Sequence, residues 1–155
     1  MEEIKFYKAN EKPYGFLSNL YKREIKFEGR IFPTSEHAYQ YGKFAKAEVA
    51  DWAMKAPAPH LLAILAHGLF RWDVTPNWNN IKVQRMKKVL IEKFTQHPDL
   101  KQQLLDTGSA KLIEASNIDS FWGSGKNGKG KNMLGVLLEE IRSEMSSLDT
   151  VATSA

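Results

Sequence analysis

The sequence predicts a helix-rich fold with a small antiparallel sheet near its N-terminus. Two short segments, Ile4–Tyr7 and Glu24–Phe27, alternate apolar and polar residues with the period of a β-strand. Pro and Gly residues then divide the middle of the chain into segments with helical periodicity. With 155 residues and 43% hydrophobic content, the chain is long enough to bury the core of one domain.

Local signals place each element in order. Glu28, Gly29 and Arg30 predict a turn between Glu24–Phe27 and a further strand at Ile31–Phe32. Thr34 or Ser35 is predicted to cap a helix that runs to about Phe44. The later elements are helices over Ala47–Lys55, Pro59–Ala66, Trp78–Phe94, Leu100–Thr107 and Met133–Met145, with a strand over Lys111–Ala115.

We predict a single domain over residues 1–145 and a flexible tail over residues 146–155, whose composition is that of a frayed terminus. The absence of Cys excludes disulfides, thiolate nucleophiles and Cys-ligated zinc. The N-terminus lacks the apolar run of a signal peptide, and no apolar stretch approaches the ~18 residues of a spanning helix. We therefore expect a cytoplasmic protein without membrane contact.

The charge distribution is more informative than the net charge of +4, a mild bias that favours phosphorylated ligands. One basic cluster lies in a glycine-rich loop. A second cluster lies on one predicted helical segment, where we expect a solvated face. Its members are Lys82, Arg85, Lys87, Lys88 and Lys93.

A polar triplet lies on the first predicted helix. Glu36, Gln40 and Lys43 fall at i, i+4 and i+7, so they share one face of a continuous helix. A carboxylate, an amide and an amine beside aromatic residues form a candidate wall for a pocket that holds a small polar ligand. The alternative is a solvated helix face.

The glycine-rich loop spans Trp122–Asn132 and carries Lys126, Lys129 and Lys131. Its glycines match a dinucleotide fingerprint in spacing, but no hydrophobic strand precedes them. A P-loop is also excluded, because Gly130 stands where a magnesium-binding Ser or Thr is required. Two interpretations remain: a phosphate cradle formed with the N-terminus of the following helix, or a flexible surface loop.

Two further features bear on chemistry. Asp119 and Trp122 come directly before the loop, so a carboxylate and an aromatic face border the predicted anion site. His60 and His67 lack a third ligand at a recognisable spacing, so we expect no metal and no cofactor. His37 projects about 100° away from Glu36 around the helix, and we expect a packed or capping residue.

Five separated motifs occur along the chain. They are Tyr14–Asn19, Pro33–Gln40 with Lys43, Trp78 ahead of Met86, Leu104–Gly108, and Asp119–Gly123 leading to Asn132–Gly135. Together they resemble the NADAR or YbiA-like family of N-glycosidases. The resemblance covers roughly residues 5–145, and the order of the motifs makes it far more specific than any one of them.

The resemblance implies an α+β domain that cleaves N-glycosidic bonds of ribose phosphates or ADP-ribose. Two substrate classes are associated with the family: ribosylaminouracil phosphates of riboflavin synthesis, and ADP-ribose attached to guanine, including ADP-ribosylated DNA or RNA. Both carry C1 of the sugar on an exocyclic amine. The alternative is a non-catalytic binder of ADP-ribose, related nucleotides or ADP-ribosylated nucleic acid.

Family motif positions map onto Glu36, Lys43, Trp78, Asp119 and Trp122. We predict that Glu36, Lys43 and Asp119 are catalytic, and that they converge with Trp122 on one pocket. The predicted substrate contacts are Asn19, Gln40, Trp78, Trp122, Gly123, Lys126, Lys129 and Asn132.

The residues support two mechanisms. In the first, a neutral Lys43 amine displaces the base by transimination, with its pKa depressed by burial or by Lys46. In the second, Glu36 or Asp119 activates water for direct hydrolysis and Lys43 binds phosphate. The sequence leaves both open.

Overall fold

The computed structural model describes the backbone of residues 2–154 and the side chains of residues 2–149. Short 3₁₀ turns lie at Gly15–Leu17 and Arg71–Asp73. The predicted helix-rich class with small strand pairs is confirmed. In chain order the elements are β1 (Glu3–Phe6), β2 (Ile25–Phe27), β3 (Arg30–Phe32), α1 (Ser35–Tyr41), α2 (Ala47–Ala53), α3 (Pro59–His67), α4 (Trp78–Gln96), α5 (Pro98–Asp106), β4 (Lys111–Glu114) and α6 (Met133–Ser154).

The backbone divides into two compact units, the first built from the chain up to Ser18 and from Phe94 onwards. In this unit β1 pairs in parallel with β4. Helix α6 packs on β4 at Gly135, where any side chain would overlap the carbonyl of Leu112. Glycine at this position therefore allows the close approach of helix and strand. Buried apolar side chains of this unit include Leu100, Leu104, Leu138 and Ile141.

Two expectations about the first unit are corrected. The prediction of antiparallel pairing is wrong for β1, which lies parallel to β4, and the long chain between Phe6 and Lys111 supplies the connection that a parallel pair requires. The last helix does not end at Met145, because α6 continues to Ser154 through most of the segment predicted as a flexible tail. After Gly135 the sequence contains no Pro or Gly to end this helix. The single domain over residues 1–145 remains a prediction.

The second unit runs from Asn19 to Lys93. Strands β2 and β3 form the predicted antiparallel hairpin, and Glu28 and Gly29 at its turn have φ angles of 50° and 80°. Positive φ at both central residues defines a type I′ turn. Helix α1 packs on this hairpin and on α3. The two buried clusters of the unit are Ile25, Phe27, Phe32, Ala38 and Val89, and Phe44, Ala50, Ala53, Leu62 and Ala66.

Helix α1 begins as predicted and ends earlier. The Thr34 hydroxyl accepts a hydrogen bond of 3.2 Å from the backbone N–H of His37, which identifies Thr34 as the N-cap. At the other end, Arg85 donates to two carbonyls of the helix at 2.6 and 3.0 Å. In a continued helix these carbonyls, of Ala38 and Tyr39, would accept from the N–H groups of Gly42 and Lys43. Because Arg85 occupies them, the helix stops before Gly42 and does not reach Phe44.

The basic cluster on α4 is not a single solvated face. Lys93 is only 1% exposed, and its ammonium lies 5.8 Å from the centre of the Tyr21 ring. Burial, with a smaller contribution from the charge of Arg23, lowers the pKa of Lys93 to about 7. Arg85 is half-buried, with its guanidinium 5.1 Å from the centre of the Phe27 ring. Within residues 2–154, no helix is long and apolar enough to cross a bilayer.

Candidate active site

Glu36 and Gln40 lie one turn apart on α1 and are joined by a hydrogen bond. Gln40 Nε2 donates to Glu36 Oε1 at 2.9 Å. Gln40 is 6% exposed, and its Oε1 has no hydrogen-bond partner within the described part of the chain. Leaving a buried acceptor unsatisfied is costly, whereas a ligand that donates to it removes the cost. Gln40 is thus suited to receive a hydrogen bond from a bound substrate.

Asn19 supports the first turn of α1. Its Oδ1 accepts a hydrogen bond of 2.8 Å from Ser35 Oγ, and its backbone carbonyl accepts one of 3.1 Å from the N–H of Glu36. Its Nδ2 lies 3.4 Å from the sulfur of Met86. The structure therefore places Asn19 as a support for Glu36, and its predicted contact with substrate remains a prediction.

Lys43 lies just beyond α1, so the predicted i+7 helical register is wrong at this residue. Gly42 ends the helix, and the chain continues through two tighter turns with N–H···O distances of 3.3 Å (Gly42 to Tyr39) and 2.9 Å (Lys43 to Gln40). The amine of Lys43 donates a hydrogen bond of 2.9 Å to the carbonyl of Ala66, near the end of α3. The side chain is thereby held in one place.

The charge state of Lys43 is set by its surroundings. Burial lowers the pKa of its ammonium group and the positive charge of Lys82 lowers it further, whereas Glu36 raises it. The net direction is downward. The prediction that burial depresses the pKa of Lys43 is therefore confirmed, but the neighbouring cation that lowers this pKa further is Lys82 and not Lys46. A lowered pKa increases the fraction of neutral amine, the form that acts as a nucleophile.

Sequence reasoning missed Lys82 and Ala66. Lys82 lies at i+4 from Trp78 on α4, and this shared face was the available signal. Ala66 contributes a backbone carbonyl, for which a side-chain pattern gives no signal.

Trp78 is buried against α1, with its ring centre 5.3 Å from that of Tyr39. The segment before it is tied to Lys43, since the N–H of Thr75 donates to the Lys43 carbonyl at 2.7 Å. The Thr75 hydroxyl also donates to the Gly42 carbonyl at 2.6 Å. Trp78 thus helps to fix the helix that carries Glu36, while a direct contact with substrate remains a prediction.

His37 is not positioned as a general base. The residue is buried, its Nδ1 lies 2.7 Å from the Thr34 hydroxyl, and burial lowers its pKa. Of the two expected roles, packed or capping, the packed role is confirmed, whereas the cap of α1 is Thr34. Within the described residues, no group of three or more His, Asp or Glu side chains could hold a metal ion.

In the other compact unit, Asp119 organises a turn. Its Oδ1 accepts hydrogen bonds from the backbone N–H groups of Phe121 at 2.9 Å and Trp122 at 2.8 Å. Its own N–H donates to Ser116 Oγ at 3.0 Å. One carboxylate oxygen of Asp119 therefore has a structural role, and its predicted catalytic role remains a prediction.

The glycine-rich loop is held by its own backbone. The first N–H groups of α6, at Asn132, Met133 and Leu134, donate to loop carbonyls at 3.0 to 3.1 Å. The helix N-terminus is therefore already capped, and the expectation that it offers free amides to a phosphate is wrong. Lys126 and Lys129 are exposed and remain predicted phosphate contacts.

The other predicted contacts in this loop are more enclosed. Asn132 is buried, and its side chain accepts from the N–H of Glu114 at 2.9 Å and donates to the Leu112 carbonyl at 2.8 Å. Gly123 is buried beside Glu114, which leaves no room for a side chain. Trp122 is half-buried, with its ring edge-on to Phe121 at 4.9 Å. The predicted convergence of Asp119 and Trp122 with Glu36 and Lys43 on one pocket remains a prediction.

Comparison with known proteins defines the class. The NADAR domain family matches residues 5–146, so the chain belongs to the NADAR family. It is 39% identical over 143 residues to "N-glycosidase YbiA" of Shigella flexneri serotype 5b, covering 92% of this chain and 88% of that protein. It is 36% identical over 144 residues to "Riboflavin biosynthesis protein VVA0006" of Vibrio vulnificus, covering 93% of this chain and 39% of that protein.

The fold has a solved counterpart. The NMR structure of the Escherichia coli protein YbiA superimposes with a TM-score of 0.85 at 37% identity, covering 96% of this chain and 88% of that one. The predicted family, the α+β fold class and the enzyme class, an N-glycosidase, are confirmed.

Proposed function

We propose that this chain hydrolyses the bond between ribose C1 and the exocyclic amine of a base, with Lys43 as covalent nucleophile and Glu36 as proton carrier. The single observation that carries the proposal is the Lys43 amine, which is half-buried, has a lowered pKa and is held by the Ala66 carbonyl. A neutral amine can donate one N–H to that carbonyl and keep its lone pair for attack on carbon.

The chemistry begins when the sugar ring of the glycosylamine opens to an imine at C1. The neutral Lys43 amine adds to C1, and the exocyclic nitrogen receives two protons, one from the carboxyl group of Glu36 and one from Nζ. The C1–N bond to the base then breaks, the base leaves as the free amine, and a protonated C1=Nζ Schiff base to Lys43 remains beside the Glu36 carboxylate. Water adds to C1, one of its protons returns to Nζ and the other to Glu36, and the C1–Nζ bond breaks, so the sugar phosphate is released with the neutral Lys43 amine and the Glu36 carboxyl group regenerated.

Two features favour this route over direct hydrolysis. Direct hydrolysis uses Lys43 as a phosphate-binding ammonium, but burial and Lys82 both act against the charged form. The second candidate base, Asp119, has one oxygen committed to two backbone N–H groups. Glu36 also accepts a hydrogen bond, from Gln40, but its charge acts on the Lys43 amine, so a proton carrier is available beside the nucleophile of the first route.

The proposed substrates are ribosylaminouracil phosphates and ADP-ribosyl guanine, free or in DNA or RNA. Both present a glycosylamine that can form an imine. The name of the Vibrio vulnificus relative, a riboflavin biosynthesis protein, supports the first class. Action in the cytoplasm is part of the proposal and rests on the sequence expectation alone.

The test is to incubate the purified chain with ribosylaminouracil phosphate and, separately, with ADP-ribosyl-guanosine, and to measure the released base by chromatography. We expect release from at least one substrate by the native chain and none by Lys43→Arg, which keeps a positive charge but lacks a nucleophilic amine. Binding without release by the native chain would overturn the proposal in favour of a non-catalytic binder.

A further inference from the structure

Phe70 and Trp72 form an exposed aromatic stack. Their ring centres are 4.9 Å apart and their planes differ by 10°. Phe70 is 63% exposed and Trp72 is 71% exposed. Single exposed apolar residues are common on protein surfaces, but here a short 3₁₀ turn holds two rings parallel with much of their area in water. Such a pair is a preformed surface for a third flat ring.

The segment that carries the stack is hydrogen-bonded through its backbone to the segment that carries Lys43. The carbonyl of Asp73, directly after Trp72, accepts a hydrogen bond of 2.8 Å from the N–H of Ala45. On the other side, the Lys43 amine binds the Ala66 carbonyl, and three residues lie between Ala66 and Phe70 along the chain. Four Cα-to-Cα steps span at most about 14 Å when fully extended, so the backbone of Phe70 lies within the length of a nucleotide-sized ligand from Ala66.

The charge of this surface favours an anionic aromatic ligand. Apart from the Lys43 amine, the two hydrogen-bonded segments, residues 43–46 and 70–75, carry the cations Lys46 and Arg71 against the single carboxylate of Asp73. Arg71 stands between the two aromatic residues in sequence and is exposed. Aromatic faces with interspersed cations are the combination that proteins use to bind nucleobases and the phosphates attached to them.

We propose that the Phe70–Trp72 stack is a binding platform for a nucleobase of the substrate other than the one released at C1. The released base must lie within a few ångströms of Lys43, where water is partly excluded, whereas the platform is open to solvent and so suits a remote part of the ligand. This platform rests on the proposed function. Of the two proposed substrate classes it favours ADP-ribosyl guanine, which carries a second base, over ribosylaminouracil phosphates, which carry only the released one. The second base lies either in the ADP-ribosyl group of a small substrate or in a nucleic-acid strand.

Binding of two simple probes tests the platform in the full-length chain. Adenosine 5′-monophosphate, measured by calorimetry, represents a free nucleotide. A fluorescein-labelled oligothymidylate, measured by anisotropy, represents a strand. We expect Phe70→Ala and Trp72→Ala each to weaken at least one probe roughly ten-fold, while Trp72→Phe retains binding. A loss of binding confined to the mononucleotide would indicate that the platform binds a base of a small substrate. A loss of oligonucleotide binding would indicate that it binds a base of a nucleic-acid strand.

Trp52→Ala is the matched control, because Trp52 is 62% exposed and lies on α2, outside the stack. It should bind both probes as the native chain does. Inorganic pyrophosphate is the second control, since its affinity should not change in Trp72→Ala. Three results would each overturn the platform. The first is unchanged nucleotide binding in both alanine variants. The others, in Trp72→Ala, are a loss of pyrophosphate binding equal to the loss of nucleotide binding, and a loss of self-association as the only effect.

Failure of the platform is distinguishable from failure of the proposed function. If the native chain releases base from its substrate but the alanine variants bind both probes normally, the platform is wrong and the catalytic assignment stands. If the variants lose probe binding but the native chain releases no base from either substrate, the catalytic assignment is wrong. Thermal unfolding of each variant by circular dichroism confirms that the fold is retained.

Discussion

The amine of Lys43 donates a hydrogen bond of 2.9 Å to the backbone carbonyl of Ala66. The bond joins the residue just beyond α1 to the last turn of α3, so two helices fix the position of one amine. Burial and Lys82 lower the pKa of that amine, and Glu36 acts in the opposite direction. This arrangement provides an amine that is held in place and has a lowered pKa, with a carboxyl group near it.

Gln40→Met should reduce activity with little effect on stability. The variant removes the hydrogen bond that orients Glu36, and a bond to a carboxylate is worth about 1.5–3 kcal/mol, so we expect kcat to fall roughly ten-fold or more. It also removes a buried oxygen that has no partner among the described residues, so the free energy of unfolding should change by less than about 1.5 kcal/mol.

The control is Gln102→Met. Gln102 donates to Asp106 at 2.8 Å with the same i, i+4 geometry, but it lies on the exposed face of α5. This variant should keep native kcat. Equal losses of kcat in the two variants, measured with chemical denaturation as the check on folding, would contradict a specific role for Gln40.

Lys82→Gln should shift the pH dependence of kcat. Removing this cation eliminates one of the two effects that lower the pKa of Lys43. The pKa of Lys43 should therefore rise. Because the neutral amine predominates only above the pKa, the rising acidic limb of the kcat profile should move to higher pH. Lys88→Gln, an exposed lysine on the same helix, is the control and should leave the limb in place. An unmoved limb in Lys82→Gln would exclude titration of Lys43 as its cause.

Much of the fold was predictable because its signals are local. The type I′ hairpin follows from Glu28 and Gly29, and the start of α1 follows from the Thr34 cap. The starts of α2, α3 and α4 were also placed correctly from Pro, Gly and apolar periodicity. The partner of β1 was not predictable, because pairing with β4 depends on contacts between residues far apart in sequence.

The candidate site likewise has a part that local sequence signals predict and a part that depends on residues far apart in sequence. Helical spacing identified Glu36 and Gln40, which the structure joins by a hydrogen bond. The position of Lys43 depends on Arg85, which donates to two carbonyls at the end of α1 that a further helical turn would use. These contacts join two helices, so sequence spacing on α1 alone could not reveal them.

Replacing Lys126, Lys129 and Lys131 together with Ala should raise KM about ten-fold or more at nearly constant kcat. Phosphate contacts remote from C1 stabilise the bound substrate and the transition state alike, so they change affinity without changing the chemical barrier. Steady-state kinetics measures both constants. A variant with Lys12, Lys22 and Lys88 replaced by Ala removes the same charge elsewhere and should keep native KM. An unchanged KM in the loop variant would remove these lysines from the site.

Lys93→Met should flatten the pH dependence of stability above neutral pH. The folded-state pKa of Lys93 is lowered to about 7 from the ordinary 10.5, so between these values the unfolded chain binds more protons than the folded one. Lys93 by itself therefore makes the free energy of unfolding rise with pH between about 7 and 10.5, by at most about 1.4 kcal/mol per pH unit. Below pH 7 its contribution is a constant destabilisation. Chemical denaturation at pH 7 and pH 9.5 tests this, and an equal rise in the native chain and Lys93→Met would contradict it.

Borohydride trapping tests the central claim most directly. Reduction during turnover should convert the Schiff base to a secondary amine, add the mass of the sugar phosphate to the chain, and place the label on the peptide that contains Lys43. Peptide mapping also separates this outcome from labelling of Lys93, the other amine with a lowered pKa. Lys43→Arg should bind substrate, take no label and fail to turn over. A native chain that releases base without any label at Lys43, or a Lys43→Arg variant with near-native kcat, would contradict the covalent mechanism.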